Sequence, residues 1–485
     1  MPMQLLVDAL TALFIFYAML VVVFIILDNR SPQSTFAWLL LFIFFPIGGF
    51  IIYFFFGREI KAFSRTQQEA GEEIYRDLEE VLSPLLARQD SILEEIRRYQ
   101  SIAAYRKLLE LSRRNVLSAL TTRNRVEVLQ NAQQKYPRLL EDLRQAQHSI
   151  HLAYYIWASD PFTEQVKEIL LERAGAGVEV RMMYDAVGTG SALSSQYIRE
   201  LKAGGVEVYP FSPKYKLHTL GYRNHRKIAV IDGRIGYTGG MNIGQEHLDG
   251  GKYFDCWRDT HLRVEGEAAL VLQAVFATSW YTATAQKLLD PAYFPLETDV
   301  DHFLPVQVVA SGPDTEWRAI RHLYFLMITS AAERIYIQSP FFIPDDSISE
   351  ALKSAALAGV EVKVMCAPRG STYNVPYWAA NTYFKEMARA GVRVFLYQRG
   401  YFHPKTIVID GRICSIGSAN MDIRSFSINY ETNAVIYDEK IAGQIEQAFQ
   451  HDLQYCTEFT LEAYEQKPVL ARLRDSVCRL FSPLL

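Results

Sequence analysis

HRKIAVIDGRIGYTGGMNIG (225–244) and HPKTIVIDGRICSIGSANMD (403–422) read as two copies of one structural unit. Each opens on His-x-Lys, continues through a β-branched run, KIAVID or KTIVID, and reaches Asp-Gly before a second apolar run that ends in small residues. Short β-branched runs bounded by turn residues are buried strands rather than helices. The likeness extends outward from both copies. AQHSIHLAYYIW (146–157) resembles AERIYIQSPFFIP (332–344), AGVEVRMMYDA (176–186) matches AGVEVKVMCAP (358–368), and GGVEVYPF (204–211) matches AGVRVFLY (390–397). The offsets run from 178 to 186 residues and keep their order. Strands alternating with helical stretches give an α/β class, and the simplest account is a duplicated unit with lobes over 120–290 and 300–465. A period this long describes a pair of domains rather than a solenoid. Related halves bring corresponding loops to a shared interface, where pockets tend to lie.

Each copy carries His-x-Lys-x4-Asp: His225, Lys227, Asp232 and His403, Lys405, Asp410. A lone histidine at a strand start is usually structural and a lone lysine usually solvated, but two such sets at matched positions of a repeat are a strong signal. His and Lys two apart on a strand project from one face, so they meet one ligand together. The types suit phosphoryl transfer. A neutral imidazole is a nucleophile near pH 7, a second imidazolium protonates a departing alkoxide, and two ammoniums hold non-bridging phosphate oxygens without a metal ion. Asp232 and Asp410 complete the motif as candidates, although Asp-Gly is also a turn former. Gly240, Asn242, Ser418 and Asn420 follow as candidate phosphate support, since small residues let backbone amides approach an anion. No zinc spacing, dinucleotide fingerprint or phosphate-binding loop motif occurs, so no cofactor and no metal are expected.

The chain has 485 residues and a net charge of -4, which argues against affinity for nucleic acid through blanket phosphate neutralisation. Five cysteines fit reduced thiols better than a disulfide framework. Near the start lie two runs without a charge, 9–27 and 36–56, separated by DNRSPQST. Each is long enough to cross a hydrocarbon core, so residues 1–57 read as a transmembrane helical hairpin. Arg58, Lys61 and Arg65 beyond the second run place both the N-terminus and the large C-terminal body on the cytoplasmic side. Residues 58–119 read as amphipathic juxtamembrane helices. Residues 466–485 read as an amphipathic C-terminal helix, with Leu473, Val477, Leu480 and Phe481 on one face.

The paired motifs resemble those of the phospholipase D superfamily. The charge-free N-terminal pair, GPDTEW (312–317), SPFFIPDD (339–346) and the closing SPLL are similar to the bacterial cardiolipin synthase family within it. The resemblance implies two duplicated phospholipase D-like lobes with mixed β-sheets flanked by helices. It further implies a multi-pass protein of the bacterial inner (plasma) membrane. The partners it implies are phosphatidylglycerol, cardiolipin and the lipid bilayer, with no nucleic acid; it leaves the oligomeric state open, a homodimer included. The implied reaction is a ping-pong phosphatidyl transfer with His225 as nucleophile and His403 as general acid, then base; the near-symmetry of the repeat keeps the reverse assignment open. Both rings then need an orienting partner, and Asp259 and Glu431, each preceding a matching strand, are the candidates. The alternatives within this chemistry are a phospholipase D or a phosphatidyltransferase with another donor or acceptor. Outside it stand a membrane-tethered phosphodiesterase or nuclease and a non-catalytic scaffold.

Overall fold

In the computed structural model the two motif strands, KIAVI and TIVI, are buried at every position. The structure describes residues 16–17, 19–27, 32–45, 48–49, 53, 65–96, 105–113, 118–212, 221–315, 317–370 and 374–485. The first lobe contributes β1 (Leu120–Gln130), β2 (Ser149–Tyr154), β3 (Glu179–Asp185), β4 (Glu207–Phe211), β5 (Lys227–Ile231), β6 (Ile235–Gly239), β7 (Trp257–Arg258) and β8 (Thr260–Gly266). The second contributes β9 (Phe303–Ser311), β10 (Arg334–Gln338), β11 (Phe342–Ile343), β12 (Glu361–Cys366), β13 (Arg393–Tyr397), β14 (Tyr401–Phe402), β15 (Thr406–Ile409), β16 (Ile413–Gly417), β17 (Met421–Asp422), β18 (Glu431–Ile436) and β19 (Cys456–Glu458).

The sequence suggests one sheet per lobe, but the two are joined edge to edge into a single mixed sheet of order β19-β13-β12-β10-β15-β16-β18-β9-β1-β8-β6-β5-β2-β3-β4. The seam is the antiparallel pair β1–β9, with Leu120 opposite Gln307 and Thr121 opposite Val306. Pairing there removes two exposed edges, which would otherwise be open to aggregation. One apolar cluster crosses the seam: Ile228, Val264, Val271 and Phe276 pack with Val408, Ile416, Ala434 and Ile436. The helix Glu267–Thr284 runs through that cluster with almost every residue of its first four turns buried. Its lack of a polar face is what burial on all sides requires.

Several apolar residues of the segment read as juxtamembrane helices pack into the protein core. Ile74, Leu78 and Leu82, from the helix Arg65–Val81 and the turn after it, are buried in the cluster that crosses the seam. Tyr105, Leu108 and Leu109 are buried in the core of the second lobe. Protein covers these six side chains. The C-terminal helix Val469–Arg479 buries Asp475 and Cys478 and places Arg479 over Tyr383 at 4.4 Å and Arg474 over Trp378 at 4.5 Å. Leu470, Leu473, Val477, Leu480 and Phe481 remain exposed.

Residues 1–65 and 214–221 form a separate compact unit. Its described part includes the helix Pro32–Phe44. The expected hairpin turn at 28–31, part of both charge-free runs, and Arg58 and Lys61 lie outside the described residues. Among the described residues, no helix is long and apolar enough to cross a membrane.

Asp232 and Asp410 lie at the opposite ends of their motif strands from the histidines. Each follows the far end of its motif strand and opens a turn in which both residues have positive φ: Asp232 53° and Gly233 64°, Asp410 53° and Gly411 65°. Asparagine, aspartate and glycine tolerate that conformation. The Asp232 carboxylate accepts from the N–H groups of Gln147, His148 and Ser149 at 2.7–2.9 Å. Asp410 accepts from Ala332, Glu333 and Arg334 at 2.7–3.0 Å and from the Tyr105 hydroxyl at 2.9 Å. Each carboxylate thus staples the start of a neighbouring strand, β2 or β10, one strand length from the histidine. Asp232→Ala is expected to lower stability by about 1–3 kcal/mol through three orphaned amides. Urea unfolding and specific activity per folded molecule check this, the latter staying near the parent's.

Candidate active site

His225 and Lys227 stand at the start of β5, and His403 and Lys405 just before β15. Backbone pairing across the lobes fixes both approaches. Asn224 forms a parallel bridge with Tyr430, and the His225 N–H donates to the Tyr430 carbonyl at 3.0 Å. On the other side β14 pairs with β7, Tyr401 opposite Trp257, and the His403 N–H donates to the Arg258 carbonyl at 2.8 Å. Each histidine is therefore pinned to the residue that precedes a carboxylate of the opposite lobe.

The side chains complete the crossing. His225 Nδ1 lies 3.0 Å from both carboxylate oxygens of Glu431, and His403 Nδ1 lies 2.7 Å from Asp259 Oδ2. Both carboxylates are fully buried. With Nδ1–H donated to a carboxylate, Nε2 keeps its lone pair for chemistry. Glu431 and Asp259 thus each lie against the histidine of the other half.

The lysines lie beside them, each ammonium donating to the carbonyl of its own motif histidine at 2.6 Å. Burial pushes Lys227 down to about 7, with Glu431 opposing and Lys405 adding repulsion. Burial likewise lowers Lys405 to about 8, against Asp259 and Glu431. Desolvation lowers His225 to about 4, against the pull of Glu431. His403 is lowered by burial and by the charges of Lys405, Lys227 and His225. The charges of Lys227 and His225 on His403 act across the lobes.

The candidate supporting residues divide. Ser418 donates to Glu431 Oε2 at 2.5 Å and Asn429, two residues before Glu431, donates to its Oε1 at 3.2 Å, so both brace that carboxylate. Gly240, the counterpart of Ser418, leaves room for the Asp259 carboxylate, with which a Cβ there would collide. Asn242 accepts from the Ile156 N–H at 3.3 Å and anchors that loop. Asn420 is buried, and its Oδ1 has no partner among the described residues.

A family profile described as "Cardiolipin synthase, PLD-like domain" matches residues 139–279 and 324–453. The chain belongs to this family. A second profile, "Phospholipase_D-nuclease N-terminal", matches residues 13–58. A cardiolipin synthase of Geobacillus kaustophilus is 41% identical over 95% of this chain and 90% of its own. One of Halalkalibacterium halodurans is 39% identical over 99% and 94%. One of Listeria welshimeri is 39% identical over the full length of both. In fold the chain is similar to phosphatidylserine synthase of Haemophilus influenzae, with a TM-score of 0.57 and 15% identity over 74% of this chain and 95% of that one.

Further residues outside the repeated motifs surround the two histidines. Lys135 is buried and donates to the carbonyls of Met241 and Asn242 at 3.1 and 3.3 Å. Tyr155 meets the His225 ring edge-on at 4.9 Å, and Trp257 meets the His403 ring at 5.4 Å. Tyr401, two residues before His403, stacks on it at 5.6 Å. Strand alternation carries the signal for Tyr401, whereas Lys135 and Tyr155 carry none.

The depressed lysines set a pH signature. A phosphodiester favours the ammonium forms and raises their pKa, so its binding takes up protons at pH values above about 7 and weakens as pH rises. Calorimetry of short-chain phosphatidylglycerol in buffers of different ionisation enthalpy is expected to show net uptake of more than one proton at pH 8. Zero uptake between pH 7 and 9 would contradict it.

Proposed function

We propose that this chain makes cardiolipin from two molecules of phosphatidylglycerol, releasing glycerol through a phosphohistidine. The observation that supports this is the crossed pair of imidazole–carboxylate contacts, each with its own ammonium, in one buried site. His225 Nε2 attacks the phosphorus while Lys227 and Lys405 bind the non-bridging oxygens. The phosphorus–oxygen bond to glycerol breaks, and His403, protonated as the anionic headgroup enters, gives its Nε2 proton to the departing oxygen. The neutral His403 then takes the proton from the hydroxyl of a second phosphatidylglycerol. That oxygen bonds to phosphorus, and His225 leaves. Glu431 stabilises the positive charge on the His225 ring, and Asp259 that on His403.

The reading includes a bilayer as the site of work. Its support is the two charge-free runs at 9–27 and 36–56, together with outward apolar side chains such as Phe24, Leu27, Ile43 and Phe44. Leu470, Leu473 and Leu480 of the C-terminal helix add a second apolar face. On this reading the body lies on the cytoplasmic side of a bacterial inner membrane, tethered by a two-helix hairpin.

Purified protein incubated with phosphatidylglycerol alone, under chelator, is expected to yield cardiolipin and glycerol in equal amounts. Phosphatidic acid as the main product would make it a phospholipase, and no lipid turnover would refute transferase chemistry. His225→Ala and His403→Ala are each expected to lose transfer by at least about 1000-fold while remaining folded.

A further inference from the structure

Asp259 is held by a different device from Glu431. Glu431 is braced by hydroxyl and amide donors of its own lobe, Ser418 and Asn429. Asp259 is held through the helix Asn131–Gln145, which grips it in two places. At the helix start the Asn131 N–H donates to the Asp259 carbonyl at 3.0 Å, and the Asp259 N–H donates to Asn131 Oδ1 at 3.0 Å. One turn on, Lys135 Nζ donates to the carbonyls of Met241 and Asn242, and the Tyr136 hydroxyl contacts those of Asn242 and Gly244 at 3.2 and 3.0 Å. These contacts pin the loop that follows the first motif, and that loop lies directly on the carboxylate. A Cβ at Gly240 would stand 2.0 Å from Asp259 Oδ1, the Gly240 N–H donates to the Thr260 carbonyl at 3.0 Å, and the Met241 N–H donates to His261 Nδ1 at 3.3 Å.

The matching loop of the second lobe is fastened by neutral groups. Asn433 Oδ1, Ser425 Oγ and Ser339 Oγ accept from the N–H groups of Ala419, Asn420 and Met421 at 3.2, 3.2 and 2.9 Å. Lys135, by contrast, is a fully buried lysine. Its neighbours are the two carbonyls and the rings of Tyr154 and Tyr136 at 4.8 and 5.5 Å, and no carboxylate pairs with it among the described residues. Burial lowers its pKa well below the usual lysine range, with Asp259 opposing and Lys227 adding repulsion. An ammonium buried without a counter-ion is costly, and a methionine would fill the same space without that cost. Costs of this kind persist where function needs them.

We propose that Lys135 is a positioning residue for His403: it fixes the loop 240–242 against Asp259, whose carboxylate holds the His403 ring at Nδ1. This rests on the reading of His403 as acid and then base in the proposed transfer. Lys135 acts through Asp259 rather than on the substrate. Its loss therefore misaims His403 Nε2 in the proton-transfer steps and leaves lipid binding in place.

The test uses the full-length protein in detergent with phosphatidylglycerol, comparing Lys135→Met and Lys135→Gln. Lys135→Met is expected to resist urea at least as well as the parent, because an apolar chain of similar length replaces a buried, unpaired charge. Its kcat for cardiolipin per folded molecule is expected to fall by about 10- to 100-fold, the scale of a small misplacement of a reacting group, with KM changed by less than about twofold. Nitrogen-15 NMR is expected to show the His403 ring perturbed and the His225 ring close to the parent's. Lys135→Gln keeps N–H donors without the charge and is expected to recover part of kcat. A merely structural lysine would leave kcat per folded molecule and the His403 ring unchanged in Lys135→Met, and that result would overturn the proposal. So would a loss confined to KM, or equal perturbation of both rings. Absence of cardiolipin from the unsubstituted protein would instead refute the transfer itself, while a selective change at His403 in Lys135→Met would still support the positioning.

Discussion

The site depends on one constraint: each imidazole is oriented by a carboxylate that the other lobe supplies. Neither lobe alone holds a histidine with its buried partner. The backbone enforces the exchange, since the strands leading to Glu431 and Asp259 are hydrogen-bonded to the segments leading to His225 and His403. The shared sheet through β1–β9 and the apolar cluster across it hold the lobes so that these contacts form without rearrangement. Preorganisation of this kind is what electrostatic catalysis at phosphorus requires.

Burying two imidazoles, two ammoniums and two carboxylates is costly, and the protein offsets the cost by pairing them. Burial nonetheless outweighs that pairing at both lysines and both histidines, whose pKa values lie below the ordinary range. A phosphodiester supplies the missing charge. On the proposed mechanism its entry restores protons to groups that burial has made reluctant to hold them, and so readies the acid of the first step.

Much of this was legible in the sequence. KIAVID and KTIVID announce buried strands, their repetition announces a duplication, and the repeated His-Lys pairs announce one site. Asp259 and Glu431 were identifiable as carboxylates before matching strands. Their exchange between lobes was not, because sequence position carries no information on which of two related halves a side chain reaches; Glu431 lies 206 residues from His225. The roles of Asp232, Asp410 and Ser418 were obscured for a related reason. A motif records that residues recur together, and backbone stapling preserves an aspartate as firmly as catalysis does. The fused sheet left no mark, since β1 and β9 read as ordinary strands until their edges meet.

The most direct test of the crossed arrangement is nitrogen-15 NMR of histidine-labelled protein in detergent, comparing Glu431→Gln with Asp259→Asn. The account predicts that Glu431→Gln shifts the ring nitrogens and pKa of His225 most, and Asp259→Asn those of His403. The opposite pattern, each substitution acting chiefly on the histidine of its own lobe, would contradict it.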